Sequence, residues 1–247
     1  MKNLPVDIAY LYEVFREQAE RLLEHLQAQP AGSPEQDDPQ RLISAMSDLC
    51  KILREAEACQ AGESAEMACP PEEIEALGNF GLQLLNDLSD LAADAELADC
   101  ARELENLCLP LGVWIARRGV EIQQLAPVVN ALAWYANQAH SPEEMQVLYG
   151  LATEIVEAVN PHLSEVGTRD LHPWRLLLIN RAIVATRTHQ PSLMEPAFTA
   201  VVEQLPEDAP RFFAEGMQQM DRVGYPEPVR EVMRRFHALF SEKHTLH

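Results

Sequence analysis

Apolar residues recur three and four positions apart through most of this chain. Ile8, Leu11, Phe15, Ala19, Leu22 and Leu26 form the first such run, the mark of a helix with one buried face. The same spacing predicts helices over about 5–27, 41–58, 71–93, 95–117, 122–139, 142–159, 172–189, 191–204, 206–224 and 226–240. β-Branched and aromatic residues never alternate for long, so no strand is expected. Pro-Glu pairs at Pro71, Pro142, Pro206 and Pro226 are start signals. Proline in the first turn lacks only a donor that would be unpaired there anyway, and early acids suit the positive helix end. Pro110 falls inside the fourth helix and is expected to kink it or split it in two.

Two stretches depart from the one-sided pattern. In Leu171–His189 the run Leu176–Ala185 is apolar on nearly every side, broken only by Asn180 and Arg181. A helix apolar all round is usually buried, so this one is expected to be central. Ile122–Pro142 carries no Asp, Glu, Lys or Arg over 21 residues and reads as its companion. Its Gln, Asn, His and Pro content is too polar for a membrane span.

Short loops between helices imply antiparallel hairpins. The chain is therefore expected to be a single all-α domain over 1–247. About five hairpins would form an irregular right-handed stack, an α-solenoid of the kind built by HEAT and tetratricopeptide repeats. A compact orthogonal helical bundle is the alternative. The segment 29–40 holds three prolines, a glycine and acids and is expected to be a mobile loop. A subdivision is expected near 160–171, around Gly167.

Composition sharpens this picture. Ala, Leu, Glu, Gln and Arg dominate and glycine numbers only ten, which favours helix. The net charge is −20, against nucleic-acid binding and against adsorption to anionic lipid. The charge is uneven: residues 55–105 carry fourteen acids and one base, whereas 169–247 are balanced at ten each. Five cysteines, Cys50, Cys59, Cys69, Cys100 and Cys108, form no C-x-x-C pair. They read as reduced thiols of a cytoplasmic protein. The N-terminus lacks the apolar run of a signal peptide.

Motif searches exclude familiar chemistry. Neither G-x-G-x-x-G nor the P-loop pattern occurs, and Gly78 and Gly81 lie within an apolar stripe where close helix packing explains them. No Glu has a His three residues later and H-E-x-x-H is missing, so neither a di-iron bundle nor a zinc protease is expected. G-x-S-x-G is missing too. No catalytic residue, cofactor or metal is expected. Asp87, Asp90 and Asp94 share one helix face and form a candidate acidic docking face. Phe212, Phe213, Met217, Met220 and Met233 are expected to pack the last hairpin, part of which could stay open to a partner. Arg181 is expected to brace the fold through an acid on a neighbouring helix, since a buried guanidinium needs a partner. Alternatively, Trp134, Tyr135, Trp174, Arg175, Asn180 and Arg181 would line a partner or ligand groove.

The functional expectation is a non-catalytic scaffold or adaptor that binds another protein, one with a basic surface, and a homodimer is left open. The alternative is an all-α enzyme or small-ligand-binding protein with its pocket beside the helices at 122–139 and 172–189. Helical stacks host many roles, so neither expectation follows from fold alone.

Overall fold

A computed structural model describes residues 4–28, 39–60, 70–160 and 172–241. Among these residues the chain is all-helical, with eleven α-helices and no strand. They are α1 Ile8–Ala28, α2 Pro39–Gln60, α3 Pro71–Asp94, α4 Ala98–Asn106, α5 Cys108–Ala116 and α6 Leu125–Gln138. They continue with α7 Pro142–Glu157, α8 Pro173–Arg187, α9 Pro191–Gln204, α10 Ala209–Val223 and α11 Glu227–Ser241. Most of 29–40, all of the loop near 161–171 and Cys69 lie outside the described residues.

The predicted proline starts hold at Pro71 and Pro142. At α7 they are reinforced by a capping box: Glu144 N–H donates to Ser141 Oγ at 3.2 Å, and Glu144 Oε2 accepts from Ser141 N–H at 3.3 Å. At α10 the start moves. Leu205 O accepts from Asp208 and Ala209 N–H at 3.0 and 2.9 Å, so Pro206 lies in a turn and Pro210 is the first-turn proline. Pro110 splits the fourth predicted helix. Leu107 closes α4 and opens α5, which leaves Pro110 in a first turn, where its missing N–H costs nothing.

The chain divides into two compact units. Among the described residues, one comprises 4–135 with 157–160 and the other 136–156 with 172–241, so the division falls within α6. In the first unit α5 is the most enclosed helix: every residue from Cys108 to Ile115 is buried. A Cβ on Gly78 would lie 2.6 Å from Ile115 Cγ1, one on Gly81 would lie 3.0 Å from Leu111 Cδ2, and one on Gly112 would lie 2.9 Å from Val128 Cγ1. Glycine thus lets α3 and α6 approach α5 closely, as the packing reading of Gly78 and Gly81 expects.

Two polar nodes brace this unit. Glu57 accepts from the Trp114 indole at 3.2 Å and the Ile8 N–H at 3.4 Å, and Arg118 lies 3.8 Å from it. The Arg118 guanidinium stacks 3.4 Å above the Trp114 ring. Asn79 is buried on α3, yet its amide is fully used. It donates to Glu75 O and Glu121 O, both at 2.9 Å, and accepts from Gln123 and Gln124 N–H at 2.7 and 3.3 Å. These bonds hold 121–124 out of the helix, so α6 begins at Leu125, later than its apolar pattern suggests.

In the second unit Phe213 is fully buried and its ring lies 5.1 to 5.8 Å from those of Phe198, Phe212, Phe236 and Phe240. Edge-to-face and offset arrangements of this kind join α9, α10 and α11. Helix α8, expected to be enclosed on all sides, buries nine of its fifteen residues. Ile183 stays 43% exposed, so α8 has an open side.

Candidate functional site

The open side of α8 faces α10. Arg175, Ile179, Ile183 and Thr186 stand at i, i+4, i+8 and i+11, one stripe of the helix. Opposite them come Asp208, just before α10, and Arg211, Phe212, Glu215, Gly216 and Met220 on it. Between the two helices is a cleft of about 280 Å³ in which Ile179, Ile183, Phe212, Met220, Tyr225 and Met233 supply apolar walls. Gly216 forms part of the floor: a Cβ there would lie 2.7 Å from Met233 Cε and Sδ. Omitting that Cβ lets the Met233 thioether lie flat against α10. Next to the cleft is a smaller, charged depression of about 260 Å³ that shares Ile179, Phe212 and Glu215 with it.

Arg175 governs the charged end. Its Nε and Nη2 donate to Asp208 Oδ2 and Oδ1 at 2.9 and 2.8 Å, a bidentate pair. Asp208 is the N-cap residue of α10 but makes no side-chain cap bond there. A third depression, of about 380 Å³, lies on the far side of this pair, beside His172, Trp174 and Glu207. Trp174 is 8% exposed, while Asn180 is half-buried.

Arg181 points the other way, toward α7. Its Nε donates to Thr153 Oγ1 at 3.0 Å, its Nη2 donates to Tyr149 Oη at 3.1 Å, and its guanidinium lies 5.1 Å from the Tyr149 ring centroid. The bracing expectation therefore finds hydroxyls and a ring face where an acid was anticipated. Among the described residues no carboxylate pairs with this buried cation. Arg187 is likewise held by neutral groups, the carbonyls of Ala136 and Ala139 at 2.6 and 2.9 Å, where a cation suits the carbonyl-rich end of α6.

Trp134 and Tyr135 belong to the first unit and the other four groove candidates to the second. The Trp134 and Tyr135 rings meet edge to face at 5.0 Å. Burial raises the Tyr135 hydroxyl above the usual phenol range, and the nearby Tyr10 and Glu103 act in the same direction. Tyr135 is thus a neutral hydrogen-bonding group joined to Tyr10.

The acidic candidates lie on α3. Asp87 Oδ1 accepts from Gln83 Nε2 at 2.7 Å and Asp90 Oδ2 from Asn86 Nδ2 at 3.1 Å, while Asp90 and Asp94 are exposed. Among the described residues, no three His, Cys, Asp or Glu side chains converge as a metal site. No described helix is long and apolar enough to cross a membrane.

The cleft itself was only partly foreseen. The sequence pattern of Phe212, Met220 and Met233 is that of core, and Met220 and Met233 are 1% exposed. Ile179 and Ile183 belong in sequence to an all-round apolar helix. The local signal that could have exposed them is Gly216, a glycine inside a strongly amphipathic helix. Comparison with known proteins returns no match: no protein family, no curated protein and no solved structure aligns with this chain.

Proposed function

We propose that this protein is a non-catalytic scaffold or adaptor that binds another protein, and that the α8–α10 cleft is where an amphipathic partner segment docks. The observation that carries the reading is the open cleft with apolar walls and Ile183 at its lip. Apolar concavities bordered by polar groups are typical of segment recognition, and a floor made by Met220 and Met233 can adjust to the guest side chain. The titratable groups beside it are engaged with one another: Arg175 with Asp208, and Arg211 with Glu215 at 2.8 Å. That arrangement favours binding over proton transfer.

The finer architecture belongs to the same proposal. Helices α8 and α9 form one hairpin and α10 and α11 the next, with α9 against α11. We read this unit as part of an irregular right-handed hairpin stack. The buried free thiols Cys50, Cys100 and Cys108 suit a reducing compartment, which supports a cytoplasmic location.

Affinity capture from native cell extract, run in parallel with wild type and Ile183→Asp, tests the reading. A partner retained by wild type and lost by the variant is the expected result. Identical retention by both, or none at low salt, overturns it. A second reading, a small-ligand site, draws on the 380 Å³ depression beside Trp174 and Arg175. Ligand-induced stabilisation that disappears in Arg175→Met would favour it.

A further inference from the structure

Among the described residues of the first unit, the largest exposed apolar side chain is Phe80 on α3, at 50%, and Ile52 on α2 is 43% exposed. The helix register makes them neighbours. Gly81 packs against both Leu49 of α2 and Leu111 of α5, and Gly78 packs against Ile115, so α3 and α5 are antiparallel. Farther along α2, Glu57 meets Trp114 and Arg118, so α2 runs with α5 and against α3. Ile52 follows Leu49 by three residues and Phe80 precedes Gly81 by one. At 100° per residue both rotate to the same, outer side of the α2–α3 seam. Single exposed apolar residues are ordinary, whereas an adjacent pair on one seam is a patch.

On the α3 side the surroundings of this patch have one sign, whereas α2 also carries the exposed bases Lys51 and Arg54. Helix α3 carries six acids and no Lys, Arg or His. Glu73 and Asp87 stand seven residues either side of Phe80, about 10 Å away on the same stripe, with Asp90 and Asp94 beyond. Across the seam, Glu55 stands near Ile52, while Asp48 is paired with Lys51 at 2.8 Å.

We propose that the exposed pair Phe80 and Ile52, rimmed by Glu73, Asp87 and Glu55, docks a basic amphipathic helix. Its apolar side chains cover the pair and its Lys or Arg residues meet the carboxylates. Charge complementarity selects this occupant: an acidic helix, or a second copy of α3 itself, would set carboxylate against carboxylate. The surface lies in a different unit from the α8–α10 cleft, so it stands or falls separately from the proposed function.

The probe is a fluorescein-labelled 14-residue Leu–Lys amphipathic peptide, with a Leu–Glu peptide of the same pattern as its counterpart. Binding to the full chain is followed by anisotropy at low and moderate salt. The Leu–Lys peptide is expected to bind and to weaken with salt, and the Leu–Glu peptide to bind at least tenfold more weakly. Phe80→Ser leaves the charge unchanged and removes the apolar anchor, and should weaken Leu–Lys binding about tenfold. Its unfolding midpoint should stay near wild type because the side chain is half exposed. Wild-type affinity in a folded Phe80→Ser overturns the proposal, as do equal binding of the two peptides and no binding of the Leu–Lys peptide. Should Phe80→Ser lose stability, Ile52→Ser with Asp87→Asn gives the same test.

Discussion

Arg175 grips Asp208 through two parallel N–H···O bonds of 2.9 and 2.8 Å and so draws an N-cap residue away from its own helix. Asp is among the best N-caps because its carboxylate can accept from the first free N–H groups. Here that carboxylate ties the first turn of α8 to the start of α10. Each side chain is about one-fifth exposed, so solvent screens the pair only in part. A double-mutant cycle with Arg175→Met and Asp208→Ala should give a coupling of about 1 kcal/mol. Strictly additive effects would show that the geometry contributes nothing to stability.

Arg181 presents a different problem, a buried cation among neutral partners. Truncation to Ala removes both hydrogen bonds and the stem packing, and should destabilise by about 3 kcal/mol. Arg181→Met keeps the stem and eliminates the buried charge, and Thr153 Oγ1 retains its bond to Tyr149 O at 2.8 Å. Its cost should be about 1 kcal/mol. Urea unfolding of both variants checks the order, and equal losses would refute this account.

Asn79 is the side chain through which α3 fixes the entry to α6. In Asn79→Ala the Glu121 carbonyl and Gln123 N–H would lose their partner in a part-buried site. The expected destabilisation is about 2 to 4 kcal/mol. Hydrogen exchange should then speed up at Gln123 and Gln124 before it does within α6.

Asn106 makes the opposite case. It is 1% exposed, and among the described residues neither the nitrogen nor the oxygen of its amide has a hydrogen-bond partner. Asn106→Leu conserves volume and removes an unanswered polar group, so the thermal midpoint should rise, by the equivalent of about 1 kcal/mol. A fall would show that the amide is paired in solution.

Alkaline pH should weaken the fold through its thiols. Burial pushes Cys50 up to about 12 from 9.0, with Arg54 acting weakly against it, and burial raises Cys108 as well. Above pH 9 the unfolded chain gives up these protons while the folded chain keeps them. Stability then falls with rising pH, at up to about 1.4 kcal/mol per unit for each thiol. For Cys50 the loss ends near pH 12. Arg118 works in the opposite sense, because burial lowers its guanidinium to about 10 despite Glu57. From there upward the unfolded chain holds the extra proton, and part of the loss is offset. Between pH 9 and 10 the buried thiols and, increasingly, the tyrosines Tyr10, Tyr135 and Tyr225, which burial also raises, act in the same direction, and Cys50→Ala should make the decline in urea midpoint shallower over that interval without abolishing it.

Local physics made the helices legible. Apolar periodicity and first-turn prolines place α3, α7 and α9 within a few residues of their observed bounds, and Pro110 marks the α4–α5 break. Departures arise where distant residues intervene. Ile122 to Gln124 carry a helical apolar pattern but are held out of α6 by Asn79, more than forty positions earlier. Pro206 resembles Pro71 in its sequence setting, yet Asp208 is bound by Arg175, and α10 opens at Ala209. The hydroxyl partners of Arg181 could not be inferred, because charge balance suggests an acid and only the α7–α8 register reveals Tyr149 and Thr153. The two-sided character of α8 was hidden for a related reason: Ile179 and Ile183 are equally apolar whether covered or open.

The glycines of the first unit and the methionines of the second imply opposite mechanical characters. Around α5, backbone meets side chain with no spare ångström at Gly78, Gly81 or Gly112, so displacement of one helix must displace the next. Beside α10, Gly216 accommodates a thioether with three rotatable bonds, which can yield without moving the backbone. The chain thus contains a stiff module and a compliant one. Strain from a new side chain should spread through the former and be absorbed locally in the latter.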